Sequence, residues 1–282
     1  MKLTILGSGS PEAYARRASS GYLIEVGEDR ILFDCGGGVF DNLLRAGHLP
    51  SDITHIVFSH LHSDHMMDYA RLVHAAWDED GAPIQVFGPA PIATITEGYF
   101  GRNGVLSHDL RARTELPQSQ DVWVARGGTL PRPWPTPVVT EIAPDDAIEG
   151  NSWRIRSCRA PHAQPLLECM AFSLTSNGKK FVYSGDAALC PEVEYLTADA
   201  DFLLHWCYRL DGTAVSPEMA KMAPTPSEIG AMARRARVKV LMLTHFRKHM
   251  DKGPGFESAV LSASKAFGGP VSIAEDLQSF EM

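Results

Sequence analysis

Ser59-His60-Leu61-His62-Ser63-Asp64-His65 decides how this chain is read. It places three imidazoles and a carboxylate within six positions, directly after the apolar, strand-like run Ile53 to Phe58. A turn at the end of a strand can converge side chains on one point. Three neutral imidazoles and one carboxylate suit zinc, with manganese or iron as alternatives.

Working outward, the other metal-capable residues occupy similar places. His162 follows the strand through Cys158 and the pair Ala160-Pro161; Asp186 follows Phe181-Val182-Tyr183-Ser184-Gly185; His245 follows Val238 to Leu243. Each lies just past the C-terminal end of an apolar strand, so they are expected to meet at one sheet edge. Asp34 closes another strand before Cys35-Gly36-Gly37-Gly38. His55 and His74 carry no such signal and read as packed or surface side chains. Gly7-Ser8-Gly9 follows a strand but lacks the third glycine of a dinucleotide fingerprint, so it reads as a tight turn.

The periodicity predicts strands at Leu3 to Leu6, Tyr22 to Val26, Ile31 to Asp34, Ile84 to Phe87, Trp153 to Cys158, Met170 to Thr175, Phe181 to Tyr183, Phe202 to Leu204 and Val271 to Ile273. Helices are expected at Val39 to Ala46, Asp64 to Trp77, Thr225 to Ala236 and Glu257 to Phe267. Asn177-Gly178 signals a hairpin, and Thr225-Pro226-Ser227-Glu228 a capping box. Residues 97–146 change texture, with prolines at 131, 133, 135 and 137. They are expected to form an insertion or cap with short elements of its own within a single domain spanning 1–282, serving substrate binding, a homodimer contact or merely a covering flap.

The formal net charge of -8 and pI of about 5.7 provide no global positive field for nucleic acid or anionic membrane. No stretch reaches the ~20 apolar residues of a membrane span. Five scattered cysteines without a Cys-x-x-Cys pair suit a reducing compartment, and the N-terminal apolar stretch is too short for a signal sequence, so a cytoplasmic location is expected.

His60-x-His62-x-Asp64-His65, followed by His162, Asp186 and His245, resembles the metallo-β-lactamase superfamily. The resemblance implies an α/β fold, the αβ/βα four-layer sandwich, with two mixed sheets back to back, helices outside and metals at one edge. It implies that His60, His62 and His162 hold a first divalent ion and that Asp64, His65 and His245 hold a second. Asp186 would bridge them, and Asp34 would support the site from behind. Hydroxide shared by two ions would then attack the substrate.

Leu6-Gly7-Ser8-Gly9-Ser10-Pro11, Phe33-Asp34-Cys35-Gly36, Ser184-Gly185-Asp186 and Leu243-Thr244-His245-Phe246 resemble the ribonuclease Z and arylsulfatase-like branch. That branch includes tRNA 3′-end endonucleases, phosphodiesterases and sulfatases. Its endonucleases carry His-Glu-Ala-Thr after the bridging aspartate, whereas this chain has His205-Trp206-Cys207-Tyr208. Met66-Met67-Asp68 stands where relatives commonly have glycine. Asp64 and His205 are the candidate catalytic side chains, His205 as a general acid toward the leaving oxygen. The expected substrate is a small anionic or aromatic ester (phosphodiester, sulfate ester or lactone) lidded by 97–146, with Arg102, Arg111 and Arg113 as candidate anion contacts. The alternatives are a tRNA 3′-end endonuclease and a non-catalytic metal-binding or biosynthetic accessory protein of the same fold.

Overall fold

In the computed structural model, which describes all 282 residues, the chain opens with the antiparallel strands β1 (Lys2–Gly7), β2 (Gly21–Val26) and β3 (Asp29–Phe33). It then adds β4 (His55–Val57), β5 (Gln85–Gly88) and β6 (Val138–Glu141) in parallel. The second half follows the same plan. Antiparallel β7 (Ala147–Glu149), β8 (Arg154–Arg159), β9 (Met170–Ser176) and β10 (Lys179–Tyr183) precede parallel β11 (Phe202–Trp206), β12 (Val240–Thr244) and β13 (Val271–Ile273). The last strand, β14 (Ser279–Glu281), returns to β1. Each sheet therefore has seven strands, ordered β14-β1-β2-β3-β4-β5-β6 and β13-β12-β11-β10-β9-β8-β7.

The helices lie outside. The first half contributes α1 (Val39–Arg45), α2 (Ser63–Met66), α3 (Tyr69–Asp78), α4 (Ile92–Phe100), α5 (Ser107–Glu115) and α6 (Pro117–Ala125). The second contributes α7 (Pro191–Thr197), α8 (Pro217–Met222), α9 (Pro226–Arg235) and α10 (Gly255–Phe267). Covering both faces of a sheet explains why its strands read as continuous apolar runs. Leu204 and Met242 point between the sheets, where they join Tyr22, Phe33, Phe172 and Tyr183. Their neighbours Leu203, Leu241 and Leu243 point outward onto Ile229, Met232 and Ala263. On the other side, Leu32, Ile56 and Val86 pack on Leu43, Tyr69 and Leu72.

Local signals hold where their chemistry is self-contained. Asn177 and Gly178 are both left-handed (φ 50° and 73°), as the two-residue hairpin turn requires. Thr225 and Glu228 cap α9 reciprocally. Gly7-Ser8-Gly9, by contrast, is not the tight turn expected: Gly7 ends β1, Gly9 bridges to Ser19 and Phe246, and glycine is required by packing, since a Cβ at Gly7 would lie 1.7 Å from the Ser19 carbonyl oxygen.

One expectation about the helices is corrected. The helix predicted over Asp64 to Trp77 is broken into α2 and α3, because Asp68 is recruited elsewhere. Its backbone N–H donates to Cys35 O, and its carboxylate accepts from Gly38 N and Phe40 N at the start of α1. Residues 97–146 hold only short elements, the end of α4, α5, α6 and the sheet strand β6. Phe100 and Leu110 are buried on the outer face of the first sheet. Arg132 is sandwiched between the rings of Trp77 (3.9 Å) and Trp123 (4.4 Å), which pins the proline-rich stretch to α3.

Candidate metal centre

The strand ends deliver the metal-capable side chains to one rim. β4 releases His60 and His62 into a loop, and the first turn of α2 presents Asp64 and His65. His162, Asp186 and His245 follow β8, β10 and β12. Asp34 and His245 both adopt left-handed backbone (φ 57° and 61°), conformations that cost energy for residues other than glycine and cluster at functional sites. A Cβ at Gly36 would lie 2.1 Å from the Asp64 carbonyl oxygen, so glycine there lets the Asp34 loop pack directly on the histidine loop.

Three overlapping groups of donors result, each within 4.8 Å: His60, His62 and His162; Asp64, His65 and His245; and His60, His65 and Asp186. In the first, His62 Nδ1 lies 2.9 Å from His60 Nε2 and 3.3 Å from His162 Nε2. In the second, Asp64 Oδ2 lies 3.1 Å from His245 Nε2 and 3.6 Å from His65 Nε2. Asp186 Oδ2 reaches across, 3.2 Å from His245 Nε2, 3.6 Å from His65 Nε2 and 3.7 Å from His162 Nε2. Donors placed 2.0–2.1 Å from a tetrahedral ion stand roughly 3.3 Å apart. The observed spacings bracket that value. His65 Nε2 is buried without a hydrogen-bond partner, which an ion would supply. The donor set therefore fits divalent metal.

Asp34 organises the back of the site. Fully buried, it accepts from Ser59 N through Oδ1, and from Ser59 Oγ, His65 Nδ1 and Tyr183 Oη through Oδ2, each at 2.7 Å. The proton on His65 Nδ1 thus faces Asp34, and the Nε2 lone pair faces the centre. The electrostatics agree with this division. Burial, reinforced by His65, holds His60 well below its ordinary pKa, leaving it neutral. Burial opposes ionisation of Asp186, but His245 and His65 outweigh it and keep the carboxyl well below the usual range. Burial and then Asp34 push the Tyr183 phenol well up, so it remains a donor.

A cavity of about 290 Å³ opens onto this centre. Beside His62, Asp64, His162, Asp186 and His245, it is lined by Pro11, Trp206, Tyr208, Met219 and Met222. None of these five was singled out as a site residue by the sequence reading. Trp206 was visible only as the residue replacing a glutamate.

The structure does not bring the remaining candidates to the cavity. Strand periodicity puts His205 on the outward face with Leu203, while Trp206 falls on the face of Leu204, and His205 is not among the lining residues. Its Nδ1 donates to the Trp206 carbonyl, and burial pushes its pKa down from 6.5 to about 4. Arg102 lies over the Trp134 ring, Arg111 pairs with Glu115, and Arg113 pairs with Asp109. The lid expected of 97–146 is likewise corrected. No residue of it lines the cavity, because its helices cover the sheet's outer face.

One acid-stability prediction follows from His205. Its native pKa lies below its unfolded one, so the unfolded chain binds the extra proton first. Full stability holds above pH 6.5, and up to about 3 kcal/mol is lost as pH falls from 6.5 to 4. His205→Leu should remove that slope: in denaturant titrations at several pH values, the variant's stability relative to the parent should rise as pH drops through this window.

Two mixed sheets back to back, helices outside, and a divalent-metal site at one rim define the αβ/βα sandwich of a metallo-β-lactamase-fold protein. Residues 29–246 match the beta-lactamase superfamily domain, and the chain belongs to that family. It is 27% identical over 291 aligned positions to a ribonuclease Z of Mycobacterium bovis, covering 100% of this chain and 98% of that one. Among solved structures, the metallo-beta-lactamase fold protein YhfI from Bacillus subtilis superposes with a TM-score of 0.73 at 21% identity, covering 99% of both chains. The short form of human tRNase Z superposes with a TM-score of 0.70 at 19% identity, covering 100% of this chain and 99% of that one. The chain is a metal-dependent hydrolase.

Proposed function

We propose that this protein hydrolyses a small organic ester-like substrate, a phosphodiester, sulfate ester or lactone, by water attack at two divalent ions. His60, His62 and His162 would hold one ion, Asp64, His65 and His245 the other, with Asp186 Oδ2 between them. The histidine-rich donor set favours zinc. When bound, such a pair lowers the pKa of water and polarises the oxygen of the scissile group. The chain's own residues do the rest. Asp34 fixes the His65 tautomer, Asp186 keeps its charge between the imidazoles, and Trp206 lines the cavity beside them.

The observation that carries the substrate reading is the lining. Apart from the metal-site donors it consists of Pro11, Trp206, Tyr208, Met219 and Met222, with no lysine or arginine. A cavity of that size and apolarity suits a compact aromatic or alkyl group. A tRNA 3′-end endonuclease is the second reading, favoured by the ribonuclease Z relatives aligned along the whole chain. Phosphate contacts dominate nucleic-acid affinity, and the arginines at 111 and 113 are paired with acids.

The test sets bis(p-nitrophenyl) phosphate, an aryl sulfate and an aryl-substituted lactone against a precursor tRNA with a 3′ trailer, at physiological salt and with zinc. Turnover of one small ester with no trailer release is expected. Efficient trailer release would replace this reading with the second.

A further inference from the structure

The cavity has one uncommitted proton donor. Pro11, Met219 and Met222 carry none, and the Trp206 indole N–H is spent on the Ala187 carbonyl at 2.6 Å. His205, the residue that the motif would nominate, points outward. That leaves Tyr208, whose hydroxyl has no hydrogen-bond partner within the chain.

Its ring is held in place. It stands 5.7 Å from the Trp206 ring and 5.8 Å from the His245 ring, and the Arg247 guanidinium lies over it at 5.0 Å. Arg247 is itself anchored by Glu12 at 2.9 Å. A phenol clamped in this way is a preorganised donor that needs little reorganisation as charge develops.

We propose that Tyr208 is a catalytic residue whose O–H donates a hydrogen bond to the leaving-group oxygen, while the apolar leaving group rests against Trp206, Met219 and Met222. The assignment rests on the hydrolytic reading above. Water oxygen bonds to the central atom of the ester, and the bond to the leaving oxygen breaks. That oxygen keeps the electron pair, and the phenol keeps its proton while stabilising the new charge. The proton released by water passes to solvent.

The test compares Tyr208→Phe with the parent, both zinc-loaded, on phosphodiesters whose leaving groups are p-nitrophenol and unsubstituted phenol. Poorer leaving groups carry more charge on oxygen in the transition state and need the donor more. The variant should lose about 10-fold in kcat on the nitrophenyl ester and about 10²-fold on the phenyl ester. KM should stay within about two-fold and the metal content should not change. An unchanged kcat, or an equal loss on both esters, overturns the assignment while leaving the hydrolytic reading intact. A zinc-loaded parent inert toward every ester removes both.

Discussion

Asp186→Ala is expected to lower kcat at least ~10³-fold and to reduce bound metal from about two ions per chain to one or none. A single oxygen, Oδ2, lies within reach of both donor groups, at 3.2 Å from His245 Nε2 and 3.7 Å from His162 Nε2. No other carboxylate does this: Asp64 is paired with His245 and His65, on one side only. Alanine therefore removes the shared donor and the negative charge that balances several buried imidazoles. Asp186→Asn separates the two losses, because it keeps an oxygen donor but not the charge, and it should retain more metal than alanine with almost as little turnover. Elemental analysis of dialysed protein beside kcat at saturating zinc provides the check. Full activity in the alanine variant would show that the seven donors do not act as one centre.

The parts of this molecule that were legible in its sequence are those whose signal is local. The strand ends at Phe58, Tyr183 and Leu243 are apolar runs stopped by small or polar residues, and a sheet with both faces covered leaves few other interpretations for them. The hairpin at Asn177-Gly178 and the cap at Thr225 carry their own chemistry. What escaped was set by distant partners. The break between α2 and α3 depends on Asp68 bonding to Cys35 and to the start of α1, which no helical period records. The helices in 97–146 are short, and only a few of their residues, Leu110 and Trp123 among them, are buried, so their pattern is faint. His205 shows the opposite failing. The motif offered it as an acid, while simple alternation along β11 already assigned Trp206 to the other face from it. Tyr208, Met219 and Met222 became site residues only when the loop after β11 and helix α8 folded back over the rim.

Asp34 should prove nearly as consequential as the metal-site donors, although it lies behind them. It is the common acceptor for Ser59 N, Ser59 Oγ, His65 Nδ1 and Tyr183 Oη, all at 2.7 Å and all buried. Asp34→Ala strands these donors and forces alanine into left-handed backbone at φ 57°. Leaving buried polar groups unpaired costs about 1–3 kcal/mol each before relaxation, so a net loss of about 3–5 kcal/mol and a Tm drop of roughly 10 °C are expected. Asp34→Asn isolates the electrostatic part, since asparagine tolerates φ > 0 and keeps one acceptor oxygen. Without the full carboxylate the His65 imidazole is less firmly oriented and less basic toward metal, so affinity should fall 10- to 100-fold, with a smaller Tm shift than alanine causes. Competition with a chelator of known strength measures the first quantity and thermal denaturation of the apo-protein the second. If Asp34→Asn binds zinc as tightly as the parent, then Ser59 and the strand ends, not this carboxylate, hold His65 in place.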